Sequence, residues 1–142
     1  MEASVKWLDS MTFVGRSGSG HQVVFDANKD KSTAPSPMEM LLMSAGACSS
    51  VDVVSILQKS RQQVAHCEVK LSAERADSIP RVFTKMHLHF EVTGSNLSEK
   101  QVARAVELSA DKYCSVSLML AKSVQVSHSF SIKTVEGLAS AD

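Results

Sequence analysis

The stretch from Pro37 to Lys59 constrains this chain more than any other. Met40, Leu41, Leu42, Met43, Ala45, Ala47, Val51, Val53, Val54, Ile56 and Leu57 fall on nearly every side of a 3.6-residue helix. Such a helix must be enclosed on most sides. Its start is written into the sequence: Ser36 suits the N-cap, Pro37 the first helical position, and Glu39 the reciprocal half of a capping box. The length approaches that of a membrane span, but Glu39 and Asp52 interrupt the run and four serines dilute it, which favours a buried helix of a soluble protein. A chain of 142 residues, 44% hydrophobic, is long enough for one domain with a core. It has difficulty covering this helix alone, and a second copy wrapping the same helix is a natural solution.

The flanking segments read as strands and shorter helices. Val5 with Trp7 and Met11 with Phe13 show period-two spacing, and the glycine-rich connection Gly15 to Gly20 separates them from Val23-Val24-Phe25, giving a meander over about residues 3–26. That connection lacks the lysine and spacing of a phosphate loop. A polar connection from Asp26 to Ser36 leads into the helix over 37–59. Two strands follow, over about 66–75 and 83–93. Cys67, Val69, Leu71 and Ala73 share one face of the first, and Met86, Leu88, Phe90 and Val92 one face of the second, while Asp77-Ser78-Ile79-Pro80 turns the chain between them. Ser98 and Gln101 form a second candidate capping box, opening a helix or broken helix pair over about 98–121 with Cys114 at the end of one piece or the start of the next. A last strand over about 124–134 turns Val124, Val126, His128, Phe130 and Ile132 inward and serines outward. The tail from Glu136 reads as frayed. The order is α+β with mostly antiparallel sheets around a long central helix.

Composition excludes several functions. Lys plus Arg and Asp plus Glu are both 15, so no basic field exists to hold a phosphate backbone. The N-terminus has an acidic second residue and no apolar signal segment, which points to the cytoplasm. Three cysteines without a Cys-x-x-Cys pair argue against a disulfide scaffold and against a metal site. His87 and His89, two apart on a wet strand face, have no evident third ligand.

The thiols are unequal candidates. Cys67 belongs to an apolar strand face and reads as an inert core residue. Cys48 follows Gly46 and Ala47, small residues that let another group approach the helix, but it lies too far from the helix start for the dipole to lower its pKa much. A thiol peroxidase needs a thiolate, a cation to stabilise it, and a second thiol to capture the sulfenic acid. Cys48, an arginine and Cys114 could fill those roles. Met38, Met40 and Met43 could line an adaptable apolar pocket or simply pack. His128 on the apolar face of the last strand reads as a hydrogen-bonded core histidine or as lining of the thiol pocket.

Two segments, Pro35-Ser36-Pro37-Met38-Glu39-Met40-Leu41-Leu42-Met43-Ser44-Ala45-Gly46-Ala47-Cys48-Ser49-Ser50 and Asp111-Lys112-Tyr113-Cys114-Ser115-Val116, carry a resemblance to a known family. The chain resembles the OsmC/Ohr family (osmotically induced protein C and organic hydroperoxide resistance protein), in particular its YhfA-like branch. The resemblance implies an intertwined homodimer with active sites at the interface. It implies that Cys48 is the peroxidatic and Cys114 the resolving cysteine, that organic hydroperoxides are reduced, and that an external dithiol such as a lipoylated protein resets the disulfide. No metal or organic cofactor is implied. The family's arginine lies in a Gly-Arg turn, matched in wording by Gly15-Arg16, so Arg16 is the candidate thiolate stabiliser. Its orienting glutamate directly follows the helix-start proline, where this chain has Met38. Glu39 comes one residue later, about 100° further round the helix. The alternatives are a non-catalytic protein holding a small apolar ligand at the dimer interface, and a thiol hydrolase pairing Cys48 with Asp52 and a histidine.

Overall fold

The computed structural model describes residues 1–135, so the tail from Glu136 lies outside the described residues. Contacts within the chain gather into two compact units, Met1–Met43 and Ser44 onward.

In the first unit β1 (Ala3–Asp9), β2 (Thr12–Ser17) and β3 (Gln22–Asp26) form an antiparallel meander. The connection expected from Gly15 shrinks to residues 18–21, because Gly15 and Arg16 continue β2. Gly15 serves packing there: a Cβ would stand 2.8 Å from the Phe25 ring. The turn itself uses Gly20 at φ 89°. β1 is exposed along its whole length, leaving Val5, Trp7 and Leu8 at least half uncovered.

Asp26 organises the connection that follows. Its buried carboxylate accepts the Asn28 and Thr33 backbone N–H groups, each at 2.8 Å, and the Asn28 amide and Thr33 hydroxyl. These bonds lower its pKa to about 2, the two backbone donors contributing most. α1 (Pro37–Lys59) then opens on a formed capping box, with the Glu39 carboxylate accepting the Ser36 N–H at 2.8 Å and the Ser36 hydroxyl at 2.7 Å.

From Ser44 onward, α1 buries one stripe: Ala45, Gly46, Ser49, Val53 and Leu57. A Cβ on Gly46 would stand 2.7 Å from Leu71 and 3.1 Å from Val69, so the missing side chain lets α1 lie close on β4 (Gln63–Arg75). The expected enclosure is not met within one chain. Val51 remains 69% exposed, because β4 and the helical segment holding Ser109 and Cys114 together meet only the buried stripe of the helix.

β4 pairs antiparallel with β5 (Phe83–Ser95), and their alternation follows the sequence: Met86, Leu88, Phe90 and Val92 are buried. β6 (Gln125–Thr134) corrects the antiparallel expectation. It runs parallel to β5, whose other edge holds β4, and the helical segment between β5 and β6 is the crossover that parallel pairing requires. That segment contains α2 (Glu99–Leu108), a π-helical turn (Ser109–Tyr113) and α3 (Ser115–Leu120). The second capping box does not form. The Ser98 hydroxyl caps nothing, and its backbone N–H bonds the Gln62 side chain instead.

The outward serines of β6 are not simply solvated. Ser127, Ser129 and Ser131 alternate with His87 and His89 in a continuous ladder of hydrogen bonds of 2.7–3.1 Å. Beside it, Glu91 receives both Lys133 and Lys70, which hold its pKa at about 2.

Two outcomes test this architecture. A Cβ at Gly94 would collide with the backbone carbonyl of Gln63, so Gly94→Ala is expected to cost at least about 2 kcal/mol in urea unfolding. The folded Asp26 pKa is depressed, so its stabilising contribution is present above its ordinary pKa of 3.8 and fades as pH falls toward about 2. Across that window the urea midpoint of Asp26→Asn is expected to fall less than that of the parent.

Candidate thiol site

Three elements of the second unit converge on the two cysteines named from the sequence. Cys48 lies mid-α1, half-buried, one residue before Ser49 on the buried stripe. Cys114 is fully buried and forms the N-cap of α3, its sulfur accepting the Ser117 backbone N–H at 3.4 Å. The π-turn sets that cap. The Cys114 N–H bonds the Ser109 carbonyl at 2.9 Å, five residues back, which inserts one residue into the α2 repeat.

Buried serines join the two elements. Ser49 Oγ donates to Cys114 Sγ at 3.2 Å and lies 3.1 Å from Ser117 Oγ. Since Ser49 has one hydroxyl proton, the bond with Ser117 runs from Ser117 to Ser49 while Ser49 serves the sulfur. Ser109 Oγ bonds the Ser49 carbonyl at 3.2 Å and reaches Asp52 Oδ2 at 3.5 Å. The Cys48 sulfur lies 3.9 Å from Ser115 Oγ. The sulfurs of Cys48 and Cys114 and a carboxylate oxygen of Asp52 all lie within 4.8 Å of one another.

Burial pushes the Cys114 thiol up, but the hydrogen bonding it receives from Ser117 and Ser49, with Cys48 beside it, outweighs burial and holds the thiol below its ordinary value. Cys67 behaves oppositely: burial raises its pKa, as suits an inert strand thiol.

The remaining named residues sit elsewhere or differently. Arg16, Met38, Glu39, Met40 and Met43 belong to the first unit. Arg16 is exposed on β2 and forms no ion pair among the described residues. The Glu39 carboxylate is engaged by Ser36, which lowers its pKa. Met38 and Met40 are half-buried and Met43 is 45% exposed.

His128 is stacked on Phe90 with ring planes 11° apart, and its Nε2 is buried without a hydrogen-bond partner, contrary to the expectation of a bonded core histidine. Packing between β6 and the crossover supplies no partner there among the described residues. Burial, and then His87, lower its pKa. With Asp111 and Ser117 it lines a cavity of about 240 Å³, which shares Ser117 with the thiol cluster.

Asp52 was named from sequence only as a hydrolase partner of Cys48, and the structure does place it beside both thiols, whereas the serines at 49, 109 and 117 were not assigned to the pair. One signal was present: Ser49 is the single polar residue in the four-residue repeat Ala45, Ser49, Val53, Leu57. Asp52 also lines a groove of about 460 Å³ with Lys59, Gln101, Arg104 and Tyr113, which opens the cluster to solvent.

Ser49→Ala removes the donor at the centre of this buried cluster and leaves Ser117 without its acceptor. A loss of about 1–3 kcal/mol is expected in chemical denaturation, against less than about 0.5 kcal/mol for the exposed Ser115→Ala.

Known proteins share this arrangement of elements. The family model described as OsmC-like protein matches residues 28–129. Protein YhfA of Escherichia coli K12 is 59% identical over 133 residues, covering 93% of this chain and 98% of the relative. A hypothetical protein of Aquifex aeolicus, solved by crystallography, is 30% identical with a TM-score of 0.85, over 95% of this chain and 97% of the other. The organic hydroperoxide resistance protein OhrB of Bacillus subtilis shares the fold at 15% identity and a TM-score of 0.62, over 92% and 98% of the two chains.

Proposed function

Because the chain belongs to the OsmC-like protein family, we propose that it is a thiol-dependent peroxidase reducing organic hydroperoxides through Cys48 and Cys114, in defence against oxidative stress. The observation that carries this reading is the pair of sulfurs within 4.8 Å at unequal depth, one half-buried and one fully buried. A peroxide can reach Cys48 and not Cys114. The solved relative named as an organic hydroperoxide resistance protein adds support through its fold.

The reaction follows from that asymmetry. The Cys48 thiolate attacks the peroxide O–O bond, forming a sulfenic acid and releasing an alkoxide that takes a proton to become the alcohol. Cys114 then attacks the sulfenic sulfur and expels water. Disulfide formation needs the sulfurs to close from within 4.8 Å to about 2.05 Å. The hydrogen bonds that favour the Cys114 thiolate suit it to this second step. An external dithiol returns both sulfurs to thiols by exchange, and the reducing cytoplasm is the compartment this cycle needs.

The reading includes a homodimer. β1 leaves Trp7 63% exposed and α1 leaves Val51 69% exposed, apolar surface that a second copy would cover.

A second reading, a non-catalytic protein holding a small apolar ligand, draws on one observation: Glu39 is committed to Ser36, and Met38 stands where the family's glutamate would. Cumene hydroperoxide consumption with a dithiol reductant separates the two. The parent and Cys67→Ser are expected to turn over, Cys48→Ser to lose at least about 100-fold, and Cys114→Ser to stop at an oxidised Cys48. Equal rates in Cys48→Ser and Cys67→Ser would sink the peroxidase. A parent that forms no Cys48 to Cys114 disulfide under peroxide, while carrying a bound small molecule in native mass spectra, would favour the binding protein.

A further inference from the structure

The carboxylate of Asp52 has no part in the redox cycle, yet it lies within 4.8 Å of both sulfurs. We propose that Cys48, Asp52 and Cys114 form a binding site for a soft divalent cation of the zinc class.

Donor chemistry comes first. Two thiolates and one carboxylate match the sulfur and oxygen preferences of zinc and select against magnesium and calcium, which take oxygen alone. Spacing is the second argument. Cys48 and Asp52 are four residues apart on one helix, so both project from the same face of α1, while Cys114 arrives from the cap of α3. Two ligands one turn apart on a helix, plus a third from another element, is a frequent construction for three-ligand zinc sites that keep a fourth position open. Tetrahedral donors around zinc stand roughly 3.5–3.8 Å apart. The three donors here need to close by about 1 Å from their upper separation of 4.8 Å.

The surroundings also fit. Metal ligands are oriented by a second layer of hydrogen bonds. Ser49 and the Ser117 N–H hold the Cys114 sulfur, and the Ser109 hydroxyl, whose proton serves the Ser49 carbonyl, stands 3.5 Å from Asp52 Oδ2 and can turn to it. These donors leave sulfur lone pairs free for a cation, and Cys48 and Asp52 are only half-buried, so an ion has an entry path.

Bound metal and the Cys48 to Cys114 disulfide exclude one another, a consequence that rests on the peroxidase reading. Oxidation of the loaded site would balance as two zinc-bound thiolates, one hydroperoxide and two protons giving the disulfide, one alcohol, one water and the released cation. A hydroperoxide therefore discharges the bound metal.

Cobalt(II) is the direct probe, added to the reduced full-length protein without oxygen. One equivalent per chain is expected to produce the near-ultraviolet sulfur-to-cobalt charge-transfer band, and zinc to displace it. Cys48→Ser and Cys114→Ser are expected to weaken or abolish the band, Asp52→Asn to lower cobalt affinity about tenfold or more, and Cys67→Ser to change nothing. Absence of the band, or unchanged affinity in Asp52→Asn, would overturn the site. A measurement on the parent alone guards against variants that fail to fold: zinc should slow iodoacetamide labelling of Cys48 without affecting Cys67, and equal labelling with and without zinc counts against the site. No peroxide enters these measurements, so a protein inert to hydroperoxides but loaded by cobalt would sink the enzyme reading and leave the metal site standing.

Discussion

The hydrogen bond from Ser49 to the Cys114 sulfur is the contact on which the thiol site depends. Ser49 lies at the centre of the stripe that α1 buries, so its hydroxyl must find partners inside the protein. Those partners all come from the crossover: Cys114, Ser117 and, through the Ser49 carbonyl, Ser109. A buried polar group tolerates few arrangements, because losing one partner leaves the others unsatisfied. The same bonds that satisfy Ser49 therefore fix the start of α3 against α1. Cys48, one residue away, inherits its distance from Cys114.

That dependence explains an otherwise odd distribution of electrostatics. The donors that stabilise a sulfur anion gather on the fully buried thiol rather than on the one open to reagents. The donors are there for the architecture first, since each is a buried serine or a helix-start N–H that needs an acceptor. Chemistry then uses what packing has built: a shielded thiol held below its ordinary pKa behind a more accessible one. Gly46 contributes from the other direction, since its missing side chain brings α1 down onto Val69 and Leu71 and so sets the depth of the whole stripe.

Local chemistry made much of the fold legible. Ser36, Pro37 and Glu39 declared the start of α1, and the two-residue alternation assigned the more covered face of each strand, half-buried in β4 and buried in β5, because caps and pleats are short-range effects. Tertiary choices were less visible. Ser98 carried the same capping pattern as Ser36, but its N–H found Gln62, 36 residues away. The direction of β6 depended on which edge of the sheet was open, a property no local pattern records. Within the site, the cysteines were found by wording and resemblance, whereas the serines at 49, 109 and 117 read as scattered small polar residues until the fold assembled them. Glu39 shows the reverse case. Its cap was readable, and the structure finds its carboxylate spent on that cap.

The π-turn is the step at which local sequence and site geometry part company. Residues 99–113 read as a continuing helix, and an unbroken α-helix would rotate each later residue by about 100° and bond Cys114 to the residue four before it. Instead its N–H reaches Ser109, five back, and the chain leaves helical geometry at Cys114 with ψ 100°. The extra residue delivers the Cys114 sulfur to Ser49 and frees its backbone to begin α3. A wider turn is less favourable than an α-turn on its own, so something must hold it. The buried hydroxyl of Ser109, bonded to α1 at the Ser49 carbonyl, is placed to do that from inside the turn itself. The irregularity and the thiol pair are thus one construction: the same serine that widens the helix ties it to the helix carrying Cys48.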